Sequence, residues 1–298
     1  MTVITKEVLQ GLDTNINVTW QKRFDSAVNA DVWKQIADLV NSDGASEKYA
    51  WLGSVPGLRE FKDERIPGTL SGYTYEMTNK KYESTLDVDR DLIEDDRTGQ
   101  VLRAVNRLAT KAAQTYTKLV SAAFAAANAT PIWDGQNFFS TSHSLGSNYL
   151  GTSQDLTGAN VDIAELKLAG QVDDIGDPLG YTGTHLIVGP ALKSTALNLV
   201  NQKTIVVGGV AVDNPYQGRY EVVVLPYLSV SSKVWALADL GEGELPFIVQ
   251  IRTKITLVSK TDLNSDRAFD KDIFTWGTRA RHAVGYGNHQ LIVGAVAS

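Results

Sequence analysis

Apolar positions along the chain change period several times, and each change marks an expected element. Trp20, Phe24, Val28 and Val32 recur every four residues, with Ile36 and Leu39 following, so a helical face is expected near residues 18–40. A turn-rich stretch, Trp51-Leu-Gly-Ser-Val-Pro-Gly, then leads through Leu58 to Ile66 into Pro67-Gly68. Beyond it Tyr73, Tyr75 and Met77 alternate with Thr74, Glu76 and Thr78, and this order predicts a long hairpin. From Val101 the apolar positions 101, 105, 108, 112, 116, 119, 120, 123 and 124 step by three and four, until Pro131 closes the run. About 30 residues at ~1.5 Å each make a rod of roughly 45 Å. The acidic run from Asp87 to Asp96 is expected to sit at its start, where the helix dipole favours negative charge.

The second half alternates more quickly. Asp134-Gly135 between aromatic residues signals a hairpin turn, and the Ser, Thr, Gly and Asn content of 140–160 suggests a linker or exposed loop. Val161 to Val172 reads as a helix, Thr184 to Val188 as a buried strand stopped by Gly189-Pro190, and Ala191 to Val200 as a helix. Strands are expected near Ile205–Val212, Tyr220–Leu228, Lys233–Ala238 and Pro246–Lys254, and in the tail around Trp276, Arg279–Tyr286 and Gln290–Val296. No repeat of 20–50 residues is visible, which argues against a solenoid or propeller.

Two segments are poor in burial of their own. The charges of the expected hairpin, Arg59, Glu60, Lys62, Asp63, Glu64 and Arg65, surround only Phe61, and an isolated hairpin is marginal in water. Such a ribbon needs a surface to lie on, and its mixed charges suit contacts that fix register with another chain. The first 50 residues read as an arm whose Trp20 and Phe24 must be buried either in the chain's own core or against a neighbour.

Composition narrows the chemistry. Apolar residues make up 43% and charged residues 21% of 298, ordinary globular usage. The absence of cysteine excludes disulfides, thiolate metal sites and cysteine catalysis. The longest apolar stretch is too short for a membrane span, and no secretory signal is read at the N-terminus. The net charge of −6 is shared evenly between the halves, with no local run of Lys and Arg, so DNA is expected as a neighbour rather than a ligand. None of the four histidines falls in a zinc-binding pattern, and His143 among serines lacks the context of a nucleophile elbow. Asp91, Glu94, Asp95 and Asp96 do not follow a calcium-loop pattern. No catalytic, cofactor or metal site is expected, and the chain is read as a non-enzyme.

Several segments together carry a resemblance. Tyr49-Ala-Trp-Leu-Gly-Ser-Val-Pro-Gly-Leu-Arg-Glu, Asn79 to Asp96, Asp134-Gly-Gln-Asn-Phe-Phe-Ser-Thr-Ser-His, Leu186-Ile-Val-Gly-Pro-Ala-Leu and Pro246-Phe-Ile-Val-Gln follow, in order, the pattern of the major head subunits of Mu-like bacteriophages and prophages. The resemblance implies an α+β, HK97-like capsid fold. It divides the chain into an N-terminal arm and short helix (1–50), an E-loop hairpin (51–90), a P-domain with the spine helix (91–150), an A-domain (151–265) and a return to the P-domain (266–298). The implied function is a major capsid protein that self-assembles into pentamers and hexamers and encloses double-stranded DNA in an icosahedral head.

On that basis Arg59, Glu60, Lys62, Asp63, Glu64 and Arg65 are expected to be E-loop ion-pair partners, with Trp20 and Phe24 as apolar anchors of the arm on adjacent subunits. Implied partners are further copies of the chain, a separate scaffolding protein, suggested by the short N-terminus, a portal protein and decoration proteins, with packaged DNA as a non-specific neighbour. The expected location is the virion, after assembly in the host cytoplasm. Two other readings stay open: a phage tail or baseplate structural protein, and a hydrolase on the α/β half using His143 and a nearby serine.

Overall fold

Helix α1 (Lys6–Asn29) opens the chain in a computed structural model that describes residues 5–52, 72–96, 99–173, 176–207, 210–241 and 243–298. The Thr5 hydroxyl caps it by accepting the Val8 N–H. The helix stops at Asn29 and does not run to residue 40, because the Asp31 carboxylate accepts the Val32 N–H and starts a separate 3-10 turn, Val32–Gln35. Strand β1 (Ala37–Asn41) follows, with Leu39 exposed on it. Then come β2 (Ser46–Leu52), β3 (Gly72–Thr78), β4 (Lys80–Asp89), a short helix α2 (Arg90–Glu94) and the long helix α3 (Gln100–Ala125).

The start of α3 differs from the expected one. Gly99 adopts a left-handed φ of +69°, and no acidic residue lies in the first turn. The acidic run contributes through Asp96, whose carboxylate accepts the N–H groups of Gln100 and Val101 at 2.9 and 3.0 Å.

The second half adds α4 (Gly158–Ala169), β5 (His185–Val188), α5 (Lys193–Asn201), β6 (Thr204–Val207), β7 (Val210–Asp213), β8 (Glu221–Val224) and β9 (Val234–Ala238). The long strands β10 (Phe247–Lys260) and β11 (Ile273–Tyr286) are joined through α6 (Asp266–Lys271), and β12 (Ile292–Val296) ends the chain. Apart from α6, which no apolar period placed, these elements fall near the expected ranges. The separate tail segments at 276 and 279–286 are, however, one 14-residue strand.

Two four-stranded sheets organise the molecule, in the orders β1-β10-β11-β4 and β12-β9-β5-β8. Helix α3 lies over the first sheet with α1 against it, and Val105, Ala109, Tyr116, Val120 and Phe124 enter one core with Phe247, Val249, Phe274 and Trp276. The second sheet is buried on both faces, as the unbroken burial of β9 requires. Ile187, Ala236, Ala238 and Ile292 join the α3 core, while the alternate residues Leu186, Val188, Trp235, Leu237 and Val293 pack with Val161, Leu168, Ala196 and Val200 of α4 and α5. β10 thus belongs to the α3 sheet and β12 to the other, so each sheet draws strands from both sides of residue 265.

Two expectations are corrected. The arm is part of the chain's own core: Leu9, Ile16 and Trp20 are buried between α1 and the α3 layer, and Trp20 stacks on the half-buried Phe24 at 4.8 Å. The Trp276 indole N–H also donates to Asp13 at 3.0 Å, tying α1 to β11. Trp20, 1% exposed, therefore anchors α1 to its own spine and has no surface left for a neighbour. Nor is 140–160 a free linker: Leu150 and Gln154 donate backbone N–H groups to Gly294 and Val296, and buried Asn148 donates to the carbonyls of Phe138 and His289. Asn148 and the backbone of Leu150 and Gln154 bond alongside β12, while Thr141, Ser142, Ser144, Thr152 and Ser153 stay exposed, as expected of a loop.

Candidate assembly elements

The best-defined functional geometry is the root of the β2–β3 ribbon. The two strands pair antiparallel from Ser46↔Thr78 to Leu52↔Gly72, so the ribbon leaves the body at residues 46 and 78. A chain of polar side chains holds that root to β10. The Tyr49 hydroxyl donates to Gln250 Oε1 at 2.7 Å, and Gln250 Nε2 donates to Asn79 Oδ1 at 2.8 Å and to the Met77 carbonyl at 3.3 Å. Asn79 Nδ2 in turn donates to Ser42 Oγ and the Gly44 carbonyl, while Glu47 Oε1 accepts from Ser42 Oγ and from the N–H groups of Asp43 and Gly44.

Gln250 is fully buried, and both ends of its amide are used. The hydroxyl of Ser42, then the N–H groups of Gly44 and Asp43, hold the Glu47 carboxyl below its ordinary pKa. Burial, with Glu47 nearby, pushes the Tyr49 hydroxyl up to about 12, so it stays a donor at all physiological pH. Gly285 completes the fit, since a Cβ there would stand 2.4 Å from Met77 Sδ and 3.0 Å from the Tyr75 hydroxyl. Directional bonds of this kind fix the ribbon's exit direction more tightly than an apolar contact does.

The six charged residues expected as ion-pair partners, Arg59, Glu60, Lys62, Asp63, Glu64 and Arg65, lie outside the described residues. Trp20 and Phe24 sit together in the α1–α3 core and not beside the ribbon. Sequence reasoning missed Gln250, inside β10, and Asn79, between β3 and β4, because a buried amide has no spacing signature. It also missed the β6–β7 hairpin as a surface: its alternation was read as strand, whereas Val206, Val210 and Val212 are exposed.

The histidines divide sharply. His143 Nδ1 is 2.6 Å from Asp134 Oδ2 and Nε2 is 3.2 Å from the Phe138 carbonyl, so both ring nitrogens are engaged and neither faces a serine hydroxyl. His282 is fully buried between Tyr82, stacked at 4.1 Å, and Tyr116, and among the described residues its nitrogens find no hydrogen-bond partner. Burial holds its pKa down at about 4. His289, packed on His143, is held at about 3 by burial and then by that neighbour. Among the described residues, no group of three His, Asp or Glu is placed to hold a metal ion, and no helix is long and apolar enough to cross a membrane.

A long helix laid on a sheet, a second sheet flanked by two helices, and a ribbon rooted on the first sheet are the parts of an HK97-like capsid fold. The procapsid protein of bacteriophage JBD30 superposes with a TM-score of 0.59 at 24% identity, covering 99% of this chain and 77% of that one. The capsid protein of an empty GTA particle gives 0.57 at 14% identity, over 90% and 89% of the two chains. Sequence supplies the narrower assignment. The model of the Mu-like prophage major head subunit gpT matches residues 9–153, 147–228 and 229–298, and the chain belongs to that family.

Among curated relatives, the Mu-like prophage FluMu major head subunit of Haemophilus influenzae is 28% identical over 259 residues, 87% of this chain. The major capsid protein of Escherichia phage Mu is 25% identical over 293 residues, 98% of this chain. The chain spans 64% of the Haemophilus relative's length and 74% of the Mu protein's.

Proposed function

We propose that this chain is the shell-forming subunit of a Mu-like phage or prophage head, self-assembling into pentamers and hexamers that close an icosahedral capsid around double-stranded DNA. The observation that carries the reading, beside family membership, is the bolted ribbon root: a polar network joins Tyr49, Gln250, Asn79 and Ser42 where β2 and β3 leave the body. In this reading α1, α3 and the β1-β10-β11-β4 sheet form the P-domain, and α4, α5 and the β12-β9-β5-β8 sheet the A-domain, which meets its copies around the pentamer and hexamer axes. The ribbon is the E-loop, with Arg59, Glu60, Lys62, Asp63, Glu64 and Arg65 pairing across subunits. Many weak interfaces suffice, because closure multiplies them.

The role is structural and not enzymatic, and the place of action is the virion after assembly in the host cytoplasm. A separate scaffolding protein and a portal protein complete the assembly line. Decoration proteins join the partners, a role supported by the JBD30 capsid recorded with minor capsid protein trimers on it. Electron microscopy of the purified chain, alone and coexpressed with a scaffolding protein, tests the proposal. Closed shells support it, and helical tubes would instead make the chain a tail component.

A further inference from the structure

We infer that the outer face of the α1–α3 pair is a phosphate-contacting surface, and that its ligand is the backbone of duplex DNA. The identity of that polyanion rests on the shell reading above; the cationic site itself does not. Helix α3 carries no acidic residue in its 26 positions, and its exposed charges are all cations: Arg103, Arg107, Lys111 and Lys118. The first three step by four residues and form a stripe about 12 Å long. Arg23 of α1 reaches across it, donating Nε–H to the Thr110 hydroxyl at 3.0 Å. Arg23, Arg107 and Lys111, with Asn106, Thr110 and Gln114, line one open groove of about 530 Å³.

Among the described residues, none of Arg23, Arg107 and Lys111 is in an ion pair, although the chain as a whole is acidic. Like charges at i, i+4 destabilise a helix, so Arg107 and Lys111 call for an anion from outside. The set of side chains decides which anion. Phosphate is held by Arg and Lys together with Thr, Asn and Gln, all of which line this groove. A protein partner would need apolar or aromatic anchors at the centre of the contact, and this groove has none. The even sharing of charge between the two halves of the sequence hid the site. Arg107 and Lys111 share one face of α3, and the packing of α1 on α3 brings Arg23 to them.

The test is the salt dependence of binding to a short random-sequence DNA duplex by the unassembled full-length chain, read by fluorescence anisotropy. Three phosphate contacts predict a loss of about 40-fold in affinity between 50 and 200 mM salt. Arg107→Gln with Lys111→Gln should cut that loss to about fourfold, since only one contact is left. Lys193→Gln with Lys203→Gln removes the same charge from the exposed surface beside α5 and should leave the salt dependence unchanged.

Equal salt dependence in all three proteins, or no DNA binding by the unmodified chain at low salt, overturns the inference. Micrographs of the same proteins separate its failure from failure of the shell reading. Groove variants that bind DNA normally but no longer close shells would make the groove a contact between copies. Groove variants that lose DNA binding yet close normal shells support the inference.

Discussion

The α3 layer and the β6–β7 hairpin show two ways in which this chain uses apolar and polar residues. In the α3 layer Trp20, Phe124, Phe247 and Trp276 are sealed from solvent, and at its edge the ribbon root is held by an almost wholly bonded amide–hydroxyl network. Among the described residues the β6–β7 hairpin pairs only with itself, and it turns Val206, Val210 and Val212 outward. The first region carries its stability within one molecule. The second leaves apolar surface open among the described residues.

The sharpest way to break that contrast is at Trp20. Trp20→Ala should cost the isolated subunit about 3–5 kcal/mol in urea unfolding, the range for deleting a fully buried aromatic residue. A ring reserved for a neighbouring subunit would leave the isolated chain unchanged. The buried histidine in the same layer gives the next effect. The unfolded chain takes up a proton on this residue near pH 6.5, and folded His282 only near 4, so stability is complete above 6.5 and falls as pH drops toward 4. The loss at pH 4 attributable to this group is about 3 kcal/mol. His282→Phe, which keeps a ring against Tyr82, should flatten that part of the pH profile, leaving the contribution of His289.

At the ribbon root, Gln250→Ala strands the Tyr49 hydroxyl and the Asn79 amide oxygen, and should cost about 2–3 kcal/mol by urea unfolding. The amides of 72–78 should then lose protection from hydrogen exchange before those of β11. The smallest effect belongs to the hairpin. Val206→Thr with Val210→Thr should change the isolated subunit's stability by under about 0.5 kcal/mol. The same pair should slow assembly, measured by light scattering, if these valines meet copies around an axis.

Legibility in the sequence followed the strength of local periodicity. The α3 stripe, the Gly189-Pro190 stop after β5 and the hairpin turn at Gly135 could be read because each is a property of neighbouring residues. The end of α1 could not, since it depends on the Asp31 side chain bonding to Val32 and to Thr117, 86 positions away. Asn148 and Gln250 look like ordinary polar residues until their partners arrive from distant segments. In the α1–α3 groove the i, i+4 step of Arg107 and Lys111 is local, and only Arg23 arrives from a distant segment. The charged ribbon stretch, Arg59 to Arg65, was legible as chemistry from composition alone.

The central claim is that a firmly rooted ribbon completes its stabilisation on sister subunits. Deletion of residues 58–70, followed by electron microscopy and sedimentation of the product, tests it most directly. The account predicts folded, soluble subunits with unchanged urea unfolding and no closed shells. Normal particles from the shortened chain would contradict it.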